Sequence, residues 1–150
     1  MRTRTSTWFE VKFQYEKIQE DGMTKKVTEP YVVDALSFTE AENAIIENMK
    51  PYVSGEFNIK AITRVPYGEI FFDDSESADK FYKAKLQFIT LDEKTEKEKK
   101  STVTYLVQAS NIEEAKKNIV ETMKGSMMDY VIYSISETKI MDVFEHNNKQ

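Results

Sequence analysis

The chain has 150 residues, 40% of them hydrophobic and 31% charged, and its 21 Lys and Arg against 26 Asp and Glu leave a net charge of −5. That length fits one ordinary domain or two small ones and excludes a large multidomain enzyme, while the apolar content excludes general disorder. The negative balance argues against coating nucleic acid by phosphate neutralisation, and the lack of cysteine removes disulfides, thiolate nucleophiles and Cys-ligated zinc.

No run of about 18 apolar residues is present. Met1 to Thr7 leads into strand-like residues without the apolar stretch of a signal peptide, so the expectation is a cytoplasmic protein with no membrane association. Phe9, Val11, Phe13 and Tyr15 alternate with Trp8, Glu10, Lys12 and Gln14, the period of two that marks a strand with one buried face. Asp21-Gly22 predicts a tight hairpin into a second strand over 27–35. Ser37 with Glu40 reads as a capping box, and Phe38, Ala41, Ile45 and Met49 form the apolar stripe of a helix that Pro51 stops. A third strand over 57–64 and a short extended piece ending at Phe71 or Phe72 follow.

Residues 73–79, with four acids and two serines, read as a solvated linker, after which the order begins again. Tyr82, Ala84, Leu86 and Phe88 alternate; a charged connection over 92–98 leads to a strand over 101–109; Asn111 with Glu114 caps a helix striped by Ile112, Ala115, Ile119 and Met123. Gly125 stops that helix, a strand over 130–137 follows, and an extended piece ends at Phe144 before a flexible tail over 146–150.

Sliding the chain over itself by 73 or 74 residues makes this recurrence explicit. Residues 25–35 are identical to 99–109 at six of eleven positions, and 41–50 to 115–124 at five of ten. A unit of about 70 residues is marginal alone, since it buries only about 60% of its unfolded surface. The expected fold is therefore α+β: two tandem β-β-α-β repeats, 1–72 and 80–145, forming one domain of mainly antiparallel sheet with two helices and pseudo-twofold symmetry. The strand over 130–137 is apolar on both faces, with Tyr130 and Ile132 against Val131, Tyr133 and Ile135, which predicts that its second face is covered.

Trp8-Phe9-Glu10-Val11-Lys12, residues 31–42, Tyr82-Lys83-Ala84-Lys85-Leu86, residues 88–95 and residues 137–144 together resemble the family named domain of unknown function 4494. The resemblance covers nearly the whole chain. It implies a setting among Bacteroides-type gut bacteria and their phages, and brings no activity, cofactor or catalytic residue with it.

Catalytic constellations are scarce. The single histidine, His146, lies four residues from the end, unsuited to a Ser/His/Asp arrangement, and with Glu145 and Asp142 it reads as a solvated terminus rather than a metal site. Gly22, Gly55, Gly68 and Gly125 are scattered and form no phosphate-cradling loop. Glu69 and Asp142 occupy equivalent positions and would make an acid/base pair if they met across a twofold axis, although exposed strand-end acids are the commoner outcome. Asp73, Asp74, Glu76 and Asp79 lack the ligand spacing of a calcium loop.

The candidate binding face is the polar side of the first strand of each repeat, where Trp8, Lys12 and Gln14 recur as Phe81, Lys85 and Gln87. Aromatics interleaved with cations on an open sheet stack bases and neutralise phosphate, and Arg2, Arg4, Lys25, Lys26, Lys83, Lys99 and Lys100 would extend such a face. Against this, net charge is negative, Glu10 interrupts the stripe, and Trp8 and Phe81 are as well suited to packing. The expectation is a non-enzymatic binding or assembly module with no cofactor and no metal, acting on a protein partner or by self-association. The alternative is a single-stranded nucleic-acid binder.

Overall fold

A computed structural model describes residues 1–146. Its chain order is β1 (Arg2–Arg4), β2 (Trp8–Ile18), β3 (Thr24–Asp34), α1 (Phe38–Met49), a 3-10 turn (Lys50–Tyr52), β4 (Phe57–Val65), β5 (Tyr67–Phe72), β6 (Lys80–Leu91), β7 (Glu98–Ala109), α2 (Ile112–Met123), β8 (Asp129–Glu137) and β9 (Val143–Phe144). The fold is α+β with two helices and mostly antiparallel sheets. Among the described residues no helix is long and apolar enough to cross a membrane.

The chain divides into two units that do not follow its sequential halves. One comprises Met1–Thr5 and Tyr67–Thr138, the other Ser6–Pro66 and the segment from Lys139 onward. The reason lies in the short strands. β5 continues directly from β4 yet runs parallel to β7, where Ile70 faces Leu106 and Phe71 faces Val107. β9 runs parallel to β3, where Val32 faces Val143 and Val33 faces Phe144. β1, for which the sequence carries no strand signal, pairs antiparallel with β5.

In the unit containing residues 6–66 the sheet order is β4-β2-β3-β9. The β2–β3 hairpin turns through Gly22 at φ 82, where a side chain would be strained, and the Met23 N–H donates to Asp21 Oδ1 at 3.0 Å. Ser37 Oγ accepts the Glu40 N–H at 3.1 Å and starts α1 in the expected place. Phe9, Val11, Phe13 and Tyr15 of β2 meet Tyr31 and Val33 of β3 and Ala41, Ile45 and Met49 of α1 in one core, each large side chain contributing roughly 1.5–3 kcal/mol on burial. Phe38, expected on the buried stripe, is 56% exposed at the helix start but sets its ring edge-on to Phe9 at 5.1 Å. β9 adds Phe144, stacked on Tyr31 at 5.4 Å.

The other unit has the order β1-β5-β7-β6-β8. Asn111 Oδ1 accepts the Glu114 N–H at 2.8 Å and starts α2. Tyr82, Ala84, Leu86, Val107 and Ala109 pack with Ala115 and Ile119 and with Phe71 from β5, whose ring stacks on Tyr105 at 5.0 Å. Met49 is buried in its unit, whereas Met123, its counterpart in the sequence alignment, is half-buried.

Two expectations are corrected here. The second face of β8 is not covered: Val131 is 49% and Tyr133 66% exposed. A bulge opposite Lys85 and Leu86 skips Tyr133 and resets the alternation, so that Tyr130, Ile132 and Ile135 all reach the core and leave Val131 and Tyr133 outside. Nor is the 73–79 segment only a solvated linker. Residues 74–77 are exposed, but Ala78 is buried, Gln108 bonds both the Asp73 N–H and the Ala78 carbonyl at 3.0 Å, and Asn118 donates to Asp73 Oδ2 at 3.0 Å. Of the tail expected over 146–150, His146 donates its backbone N–H to Asp34 Oδ2 at 3.3 Å, and 147–150 lie outside the described residues.

Candidate functional site

One of the buried polar clusters lies in a cleft of about 500 Å3 within the unit built on residues 6–66, at the far ends of β2 and β3. Its floor is Glu29. This residue occupies the helix-facing side of β3, in phase with Tyr31 and Val33, and is only 9% exposed. An ionised carboxylate in such a place requires donors, and three converge on it. The hydroxyls of Tyr15 and Tyr31 donate to Oε1 at 2.8 and 3.0 Å, and Lys17 Nζ reaches Oε2 at 3.2 Å.

The tyrosines carry the electrostatic consequence. Burial, followed by their hydrogen bonds to Glu29 and its charge, pushes the Tyr15 hydroxyl up to about 12. Burial and the Glu29 charge push Tyr31 up further still. Both phenols therefore keep their protons through the neutral range and act as fixed donors.

The walls are aromatic and apolar: Tyr15, Tyr31, Tyr52, Phe144, Met49 and Met141. Asp142 stands at the mouth. The Val143 N–H donates to its Oδ1 at 2.8 Å, and no described residue donates to its second oxygen. Partial desolvation there raises the Asp142 carboxyl above its ordinary value, opposed only by that Val143 bond. Among the described residues no group of three or more His, Asp or Glu side chains is placed to hold a metal ion.

The residues singled out from the sequence are distributed differently. Trp8, Lys12 and Gln14 share one face of β2; Phe81, Lys85 and Gln87 share one face of β6 in the other unit. Both aromatic rings are closed off, Trp8 at 1% and Phe81 at 2% exposure, and the Trp8 indole N–H is buried without an acceptor. Rings so enclosed present no face on which a base could stack. Lys12 and Lys85 are exposed, Gln87 is half-buried, and Gln14 donates to Thr28 Oγ1 at 3.1 Å. Glu69 and Asp142 belong to different units, and Glu69 accepts the Thr5 hydroxyl at 3.3 Å. Asp73 is engaged by the Ser75 N–H and hydroxyl, which hold its carboxyl below the usual range.

Sequence reasoning passed over Glu29. A signal was present: at offset 74 Glu29 lies over Val103, a carboxylate on the buried phase of a strand where the other half of the chain has an aliphatic residue.

Comparison with protein-family models adds one decisive observation: the model described as domain of unknown function (DUF4494) matches residues 7–146. The chain belongs to that family. The match takes in both units and every residue of the cleft, and the family description assigns no activity to any of them. No curated protein and no solved structure matches the chain.

Proposed function

We propose that the protein is a non-enzymatic, cytoplasmic binding module whose ligand-contacting surface is the Glu29 cleft, and that its two units are copies of one β-β-α-β module. The observation that carries the binding reading is the convergence of Tyr15, Tyr31 and Lys17 on one buried carboxylate at the floor of an aromatic-walled cleft. Clefts of about 300–1,000 Å3 with a few fixed polar groups are the usual form of a small-ligand site. The groups at its floor are donors and acceptors already satisfied by one another, and neither phenol titrates near neutral pH. This favours recognition over proton transfer.

The duplication reading is supported by the two exchanged strands. Phe71 stacks on Tyr105 in one unit and Phe144 on Tyr31 in the other, and these pairs correspond at offsets of 73 and 74 in the sequence. A setting in phages or mobile elements rests on the family resemblance.

Methionine-methyl NMR of the full chain tests the binding reading, with Met49 and Met141 as reporters at the cleft. Three small probes of different charge, n-butylammonium, butyrate and n-butanol, are titrated to about 10 mM, where a millimolar binder fills most of its sites. Saturable shifts at these two methyls with at least one probe are expected. Silence with all three overturns the reading.

A further inference from the structure

The charges and rings of the cleft select among ligand classes, an inference that rests on the binding reading above. Glu29 and Asp142 set two carboxylates against the single ammonium of Lys17. A cation is the complementary guest, and aromatic walls suit an organic one, because the ring faces attract positive charge. The molecule already contains an example of the contact. Lys17 is an alkylammonium seated on Glu29 Oε2 at 3.2 Å, and its side chain is 45% exposed, so it can leave that position for solvent. Tyr15 and Tyr31 both donate to Oε1, which leaves Oε2 as the oxygen at which one ammonium can replace another. The second oxygen of Asp142 adds an acceptor at the mouth that no described residue uses.

We propose that the cleft binds an alkylammonium group, seated on Glu29 Oε2 in place of Lys17, with its carbon chain along the wall formed by Tyr52 and Phe144. A lysine side chain of a peptide and a free polyamine share this chemistry.

The methyl titration is extended to variants of the full chain. In the wild-type protein n-butylammonium shifts Met49 and Met141, and n-butanol of equal shape binds more weakly. Lys17→Met keeps the alkyl stem but removes the competing ammonium, and tightens n-butylammonium binding by up to about fivefold, the scale of an exposed ion pair. Asp142→Asn and Tyr52→Ala each weaken it by about threefold to fivefold. Tyr52 is 70% exposed, so its loss leaves the core intact. Comparing cadaverine with Nα-acetyl-lysine methylamide separates the sources: tighter binding of the diamine points to a polyamine, and tighter binding of the lysine derivative to a peptide. Equal binding of n-butanol and n-butylammonium, or Lys17→Met binding n-butylammonium no better than wild type, overturns the alkylammonium assignment while leaving the cleft a binding site. Silence with every probe overturns both.

Discussion

Tyr15 donates its hydroxyl to Glu29 Oε1 at 2.8 Å, although the β2–β3 ladder pairs Tyr15 with Val27 and Glu29 with Phe13. The contact is thus diagonal across the ladder, within reach because a tyrosine is long enough to span to the second neighbour. It makes the cluster interdependent. Glu29→Val leaves two phenols and an ammonium without their acceptor and is expected to cost about 1–3 kcal/mol in urea unfolding. The triple variant Glu29→Val, Tyr15→Phe, Tyr31→Phe removes donors and acceptor together and is expected to recover most of that loss. A triple variant no more stable than the single one would show that the bonds are not coupled in this way.

The same phenols set the alkaline limit. Their pKa values in the folded chain lie above the ordinary 10.0, Tyr15 at about 12 and Tyr31 higher. For an acid raised by folding, the stabilisation is complete below pH 10.0 and is lost as pH climbs toward the folded value. Absorbance at 295 nm is expected to show exposed tyrosines ionising first and a late fraction rising together with loss of near-ultraviolet circular dichroism. Titration of all tyrosines in one step near 10 would contradict the buried cluster.

Asp142 behaves in the opposite sense to a stabilising carboxylate. Its folded pKa is raised above 3.8, so the penalty is absent below 3.8, grows as pH rises from there and is complete once pH exceeds the folded value. Asp142→Asn is expected to raise the melting temperature slightly at pH 7 and to leave it unchanged below pH 3.8. A variant less stable at pH 7 would count against desolvation as the controlling effect.

Asp73 is held by the Ser75 N–H at 3.0 Å and the Ser75 hydroxyl at 2.8 Å, and it accepts from Asn118. Asp73→Ala is expected to cost about 1–2 kcal/mol in urea unfolding. Because its folded pKa lies below 3.8, the contribution is present above that value and fades as pH falls through the lower one, so the gap between variant and wild type should narrow in acid.

Cutting the backbone between Asp74 and Ser77, all exposed, should leave the fragments together, since β5 lies on one side of the cut and its partner β7 on the other, as β3 and β9 do. A protease site placed there, followed by size-exclusion chromatography, is expected to give one peak carrying both pieces with the helical circular dichroism retained. Separation without denaturant would show that the exchanged strands are weakly held.

The local features of the fold were legible. Ser37 and Asn111 start the helices as the capping pattern requires, and Gly22 turns the first hairpin, because each signal acts over three or four residues. Long-range pairing was not. β9 has two residues, and nothing in Val143-Phe144 specifies Val32 and Val33 as its parallel neighbours. The bulge that skips Tyr133 has no such signal either, so from sequence alone the apolar residues on both phases of β8 imply a doubly covered strand. At the site, the polar strand faces present Lys12 and Lys85 to solvent, whereas Glu29 sits on the buried phase of its strand, which marks it as an interior carboxylate.

The parallel seat of β9 on β3 also fixes an order of events in biosynthesis. The sheet begun by residues 8–18 lacks its last strand until residue 144 has been made, and β1 waits for a partner some seventy residues downstream. The edge of β3 that receives β9 therefore stays unpaired long after the first hairpin has been made, and its pairing is timed by chain elongation rather than by the hairpin itself.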